Sequence, residues 1–269
     1  MRRLGIDCLS IFGLPPVPFV QLAADLGCDF ITLGLPVTYN PEDYPPYSLA
    51  DPALQRELKA ALRESGIALQ VGEGYFLRSG LDMSAFAASL DTMAELGALF
   101  VNTLSVDPDL PRSLDQFSLF AEMAAARGMR SSLEFIPGST LPNVAAGVAA
   151  LRQVDRPDMK LVIDMMHLGR SGGTTADLPA IDPELIGYIQ LCDCRIEPVN
   201  QVHETMYERM APGTGELPLH DILAALPRDI PVGVEIPQRS LSEAGLGPRE
   251  RLTPCIAAAR ALLASLDEG

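Results

Sequence analysis

MKLVIDMMHLGR, residues 159–170, is the stretch whose reading decides the fold. Its apolar run, Leu161, Val162 and Ile163, has the composition of a strand buried on both faces. The run ends on Asp164, with His167, Gly169 and Arg170 close behind. A carboxylate at the end of a buried strand is costly unless it is paired or holds a cation. Three other runs in this chain end on an oxygen-bearing side chain in the same way, and that repetition carries the reading.

Outward from this stretch, short apolar runs alternate with amphipathic segments. Strands are expected over residues 4–10, 30–35, 67–71, 99–104, 129–135, 159–164, 186–191 and 232–236. Helices are expected over 18–26, 51–65, 84–96, 113–127, 143–154, 219–226 and 248–266. After the sixth strand, Gly172, Gly173 and Pro179 leave room only for a short helix near 175–178. Asp51-Pro52 reads as an N-cap with proline in the first turn, and Gly27, Gly66, Gly97 and Gly128 read as helix stops.

Eight β-then-α units in 269 residues imply parallel strands with helical crossovers, closing most economically into a single-domain α/β (β/α)8 TIM barrel over residues 1–269. An open dinucleotide-binding sheet is disfavoured, because no Gly-x-Gly-x-x-Gly follows the first strand.

Composition narrows the partners. Hydrophobic residues make up 48% of the chain, ample for a large core, and no stretch is long and apolar enough to span a bilayer. A net charge of −15 repels phosphate backbones and anionic lipid, so neither nucleic acid nor membrane is an expected partner. Arg2 and Arg3 precede an apolar segment, but Asp7 interrupts it and Pro15, Pro16 and Pro18 break it, which argues against a secretion signal. The five cysteines are odd in number and scattered, as for reduced thiols, so a cytoplasmic location is expected. A small-molecule substrate is the expected partner, and homo-oligomerisation is left open.

In such a barrel the active site lies at the carboxyl ends of the strands. Alternation points Glu134 inward on the fifth strand, Asp164 on the sixth, Gln190 on the seventh and Glu235 on the eighth. Three clustered carboxylates repel one another without a counter-ion, and with an amide oxygen they form a hard donor set suited to Mg2+ or Mn2+. Each residue alone is better read as a strand-end polar group tied to a backbone or Arg neighbour; four consecutive strands ending this way together are not.

The segments SLEFIP (132–137), VIDMMHLGR (162–170), IQLCD (189–193), ERMAPGTGELPL (208–219) and GVEIP (233–237) resemble, in order and spacing, the xylose isomerase-like barrel superfamily. Within it they are similar to the sugar phosphate isomerase/epimerase group, which includes ketose 3-epimerases, inosose dehydratases and 3-dehydroshikimate dehydratases. The likeness covers the whole chain as a fold and is specific over the carboxyl-terminal half. It implies one divalent metal ion held by Glu134, Asp164, Gln190 and Glu235, with His167 and Arg209 touching substrate oxygens. Gln190 departs from the epimerase pattern, which usually has His there; Gln is a feature of some dehydroshikimate dehydratases.

The chemistry expected is polarisation of a carbonyl by the metal and removal of the adjacent proton. Glu134 and Glu235 exchanging that proton gives an isomerase or epimerase of a small polyhydroxy carbonyl compound. Loss of a β-hydroxyl instead, with His167 as acid, gives a dehydratase. Glu73 is a further rim candidate for substrate binding, and the absence of a Lys or Arg run near the rim points to an unphosphorylated substrate. Asp193 reads as a residue orienting a neighbour, Cys192 and Cys194 as buried fillers, His203 as a loop residue and His220 as a helix-face residue. The proline- and tyrosine-rich loop 36–47 is a candidate lid. A DNA-repair endonuclease, the third activity of the superfamily, needs imidazole-rich metal sites and a basic face; three histidines and the acidic charge argue against it.

Overall fold

The structure is a computed structural model that describes residues 2–12, 14–35 and 47–267. Eight parallel strands close into a barrel in chain order: β1 (Leu4–Ile6), β2 (Phe30–Gly34), β3 (Ala68–Leu77), β4 (Phe100–Ser105), β5 (Arg130–Glu134), β6 (Met159–Asp164), β7 (Ile186–Leu191) and β8 (Val232–Val234). Closure is made by β1 against β8, with Gly5 opposite Gly233. The helices are α1 (Pro16–Asp25), α2 (Pro52–Ser65), α3 (Ala87–Leu96), α4 (Leu110–Ala125), α5 (Val144–Val154), α6 (Met165–Arg170), α7 (Gln201–Tyr207), α8 (Leu219–Ala225), α9 (Arg239–Glu243) and α10 (Pro248–Ser265). No helix among the described residues is long and apolar enough to cross a membrane.

Alternation along each strand sorts the side chains into two cores. Outward residues such as Leu133, Ile163 and Ile189 join the layer between barrel and helices. Inward, Phe30, Val71, Phe100, Val162 and Tyr188 fill the barrel's lower half. The polar inward residues sit above this plug, at the carboxyl end of the strands.

Local chemistry explains where the expected boundaries hold and where they move. Asp51 caps α2 by accepting from the Ala53 amide at 2.9 Å, and Gly66 ends it with φ 72°. β3 does not stop at Val71. Its pairing with β4 shifts between Gly72 and Tyr75, where Gly74 takes φ 100°, so the glycines mark a bulge within a strand that continues to Leu77. The helix after β6 is not near 175–178: α6 follows β6 directly because Asp164 accepts from the His167 amide at 2.9 Å, while 178–180 is a single 3-10 turn. The long loop expected after β7 contains α7, capped by Asn200, so His203 is a helical residue. The candidate lid, apart from Tyr47, falls outside the described residues; the Tyr47 hydroxyl donates to the Gly34 carbonyl at 3.1 Å.

Candidate active site

The strand ends deliver the expected residues to one rim. Glu134 and Asp164 are the last residues of β5 and β6, Gln190 is next to last on β7, and Glu235 directly follows β8. Register places Asp164 opposite Gln190, and Gln190 opposite Gly233. All four side chains are buried, as are His167 and Arg209.

Each carboxylate is held differently. Glu134 Oε2 accepts from Asn102 Nδ2 at 2.8 Å, and its Oε1 lies 3.6 Å from His167 Nε2. Asp164 gives Oδ1 to the α6 cap and Oδ2 to Arg209 Nη1 at 2.6 Å. The same nitrogen lies 2.8 Å from Glu235 Oε2, and Gln190 Nε2 donates to Glu235 Oε1 at 3.1 Å. Arg209 therefore bridges two strand-end carboxylates. It reaches them because its backbone is pinned beside the barrel mouth, where its amide donates to the Pro237 carbonyl. Asp193 fixes the adjoining loop by accepting from the amides of Gly213, Gly215 and Leu217. Cys192 and Cys194 are buried free thiols, and His203 and His220 are exposed, away from the chemistry.

Sequence reasoning missed part of the site. Asp7, directly after β1, is fully buried and accepts a short hydrogen bond from the Tyr188 hydroxyl. Its signal was present: Leu4-Gly5-Ile6-Asp7 ends an apolar run on a carboxylate just as Leu161-Val162-Ile163-Asp164 does. Asn102, which orients Glu134 and accepts from Ser132 Oγ at 3.0 Å, is an interior polar residue on β4 with no terminal position to flag it. Glu73 lines the same cavity and accepts from the Cys8 thiol at 3.5 Å.

Electrostatics sets the protonation states. Burial, then the facing Asp164, pushes the Glu134 carboxyl up to about 8. Burial, then Glu134, raises Glu73 to about 7, and burial with the neighbouring carboxylates raises Glu235 well above the usual range. Asp164 goes the other way: burial opposes ionisation, but Arg209 and His167 hold it down to about 2. Burial, reinforced by Arg209 and Arg170, lowers His167 to about 4 despite Asp164. Near neutrality the site thus holds a neutral imidazole beside a proton-bearing carboxyl.

The geometry also bears on metal binding. Glu134, Asp164 and His167 each bring one ligand atom within 4.8 Å of the others, and Asp7, Glu73 and Glu235 form a second such group. Gln190 Oε1 is buried without a hydrogen-bond partner. Five buried carboxylates face a single guanidinium, so the donor set is hard and short of positive charge, and it fits a divalent cation.

Residues 20–260 match the profile of the xylose isomerase-like TIM barrel family. The chain belongs to that family. In fold, the IolI protein, solved with a bound zinc atom, superposes with TM-score 0.83 at 18% identity, covering 99% of each chain. The D-psicose 3-epimerase of Clostridium cellulolyticum H10, solved with D-tagatose, superposes with TM-score 0.75 at 17% identity over 98% of this chain and 99% of its own. In sequence, 142 residues are 27% identical to a 3-dehydroshikimate dehydratase of Pseudomonas putida KT2440, covering 51% of this chain. This chain spans 22% of the length of that curated relative. The epimerase and the dehydratase are named for different reactions, so the choice between them rests on the site.

Proposed function

We propose that this member of the family is a metal-dependent dehydratase acting on an unphosphorylated cyclic β-hydroxy ketone of the 3-dehydroshikimate or inosose kind. The observation that carries the reading is the one-sided placement of the proton-handling groups. His167, neutral near pH 7, stands with Glu134 on the β5–β6 side, 3.6 Å apart. Glu235, three strands from Glu134, is held by Arg209 and Gln190. A two-base epimerisation needs a free base on each face of the substrate. An elimination needs one group that takes the proton from carbon and hands it to the departing hydroxyl.

Glu134, Asp164, Gln190 and Glu235 are the residues that would hold the cation, of the Mg2+ or Mn2+ class. When bound, it polarises the ketone and lowers the barrier to losing the adjacent proton. His167 Nε2 accepts that proton; the C–H electron pair forms the new double bond, and the β-hydroxyl leaves with the same proton as water. Glu134 keeps the imidazole in place, and Arg209 supplies a fixed positive charge for a substrate oxygen or carboxylate. The 3-dehydroshikimate dehydratase similarity and the Gln in the ligand set support this reading. The cavity is lined by Leu9, Phe76, Leu104, Ile136 and Met206 above the polar floor, and Arg209 is its one cationic side chain among the described residues. That lining suits a ring without a phosphate.

A second reading, the epimerase or isomerase, is favoured by the raised proton affinity of both Glu134 and Glu235. Incubation with Mn2+ in D2O, using 3-dehydroshikimate, an inosose and ketohexoses, separates the two. A conjugated or aromatic chromophore appears for the dehydratase. Deuterium incorporated next to the carbonyl of a ketohexose, with no chromophore from any substrate, would overturn it in favour of the epimerase.

A further inference from the structure

We infer that Asp7, Glu73 and Glu235 form a second divalent-cation site beside the first, with Glu235 shared between the two. Their ligand oxygens lie within 4.8 Å of one another, from residues just after β1, within β3 and just after β8, a group distinct from that of Glu134, Asp164 and His167. Proximity among acids is not sufficient; what distinguishes this cluster is where unmet acceptors concentrate. Among the described residues, the buried carboxyl and carboxamide oxygens with no hydrogen-bond partner are Asp7 Oδ2, Glu73 Oε1 and Gln190 Oε1. Two belong to the cluster's own carboxylates, and the third to the Gln190 carboxamide, whose Nε2 donates to Glu235 Oε1. A buried acceptor without a donor is expensive, and three together call for a positively charged partner.

Charge counting leads to the same site. Among the described residues, Asp7, Glu73, Glu134, Asp164 and Glu235 are opposed in this cavity by the Arg209 guanidinium, leaving four negative charges when all are ionised. One divalent cation leaves two of them, and a second closes the balance. Three oxygens from carboxylates, completed by water, form a hard set of the Mg2+ and Mn2+ kind. The backbone is shaped to bring the anions together. A Cβ on Gly233 would lie 1.8 Å from the Tyr188 hydroxyl and 2.1 Å from Asp7 Oδ1, so only glycine lets β8 pass this close. Tyr188 then fixes one Asp7 oxygen and leaves the other without a hydrogen-bond partner.

The inference does not depend on which reaction the site performs. Chelator-treated full-length protein is titrated with Mn2+, and bound ion is counted by calorimetry and by electron paramagnetic resonance of the free ion. Two equivalents are expected for the wild type, with a spin-coupled signal from ions sharing Glu235. Asp7→Asn and Glu73→Gln are each expected to bind one and to lose the coupled signal. Circular dichroism checks that each variant is folded, and Glu73→Gln stands in if Asp7→Asn is not. A single equivalent in the wild type, unchanged by either variant but lost in Glu134→Gln, overturns the second site and leaves the first intact. Loss of all Mn2+ binding in folded Asp7→Asn also overturns it, since Asp7 would then serve one shared ion. No binding by the wild type overturns both sites.

Discussion

Arg209 Nη1 lies 2.6 Å from Asp164 Oδ2, a buried ion pair that ties the loop after β7 to the end of β6. The pairing holds Asp164 ionised against burial and lets one guanidinium serve Glu235 as well.

Removing that guanidinium leaves two buried carboxylates without their cationic partner. Arg209→Met is expected to destabilise chelator-treated protein by about 3–5 kcal/mol, the range for a broken buried pair. Added Mn2+ is expected to restore part of the loss by supplying charge to the same oxygens. Thermal melts with and without the ion check this, and an unchanged midpoint in the metal-free variant would show that the pair carries no net stability.

The raised carboxylates give the metal-free protein an alkaline weakness. Glu73 and Glu134 hold their protons in the fold up to about 7 and about 8, against 4.5 for an ordinary glutamate. The folded state therefore binds more protons than the unfolded chain between those values. The stability this provides is complete below about pH 4.5 and is lost as pH rises through 7 and 8. His167 works oppositely, since its lowered value costs stability only as pH falls below 6.5. Between pH 6.5 and 9 the carboxylates alone set the sign, and denaturant titrations should lose a few kcal/mol, at ~1.4 kcal/mol for each tenfold displacement of a proton equilibrium. Saturating Mn2+ should flatten the slope. A flat profile without metal would mean that these carboxyls are ionised in the fold throughout.

The same residues show how far a sequence can be read. The barrel was legible because its inner strands are apolar runs punctuated by helix caps and stops, and Glu134, Asp164, Gln190 and Glu235 were legible because each closes such a run. Asp7 closes one too, but β1 is three residues long and a proline-rich stretch follows, so its carboxylate reads as an interruption of an apolar segment. Asn102 and Tyr188 lie inside strands, where nothing local separates a residue facing the axis from one facing the helices. The position of α6 was hidden because Asp164 is both strand end and helix cap, which removes the loop that usually announces a helix. α7 and α9 are short and polar, and neither has a buried residue to set a period. Arg209 was visible as a residue but not as a bridge, since its partners are 45 positions or less away in chain yet meet only across the barrel mouth.

Gly233→Ala tests the close approach beneath the site. Its methyl would fall on the Tyr188 hydroxyl and Asp7, at 1.8 and 2.1 Å, so something must shift, at a cost of about 1–3 kcal/mol or more. Tyr188→Phe removes the hydroxyl and part of the collision, while depriving Asp7 of its donor. In a double-mutant cycle the two substitutions are expected to couple by more than ~0.5 kcal/mol, with the double variant more stable than the sum predicts. Simple additivity would place the collision elsewhere.

His167→Gln separates the proton carrier from the scaffold that holds it. The link from His167 to the Asp164 cap is made by its backbone amide, at 2.9 Å, and survives the substitution. The fold and the Mn2+ stoichiometry should therefore be retained. What is lost is a neutral imidazole 3.6 Å from Glu134, and removing a positioned general base lowers turnover by roughly 10²–10⁴-fold. With 3-dehydroshikimate as substrate, kcat should fall by that factor while KM changes little. The acidic limb of the wild-type rate profile, set by an imidazole held down to about 4, should disappear with it. If the variant keeps full turnover, the proton is carried by the neighbouring Glu134 instead. In that case Glu134→Gln, not His167→Gln, should show the loss.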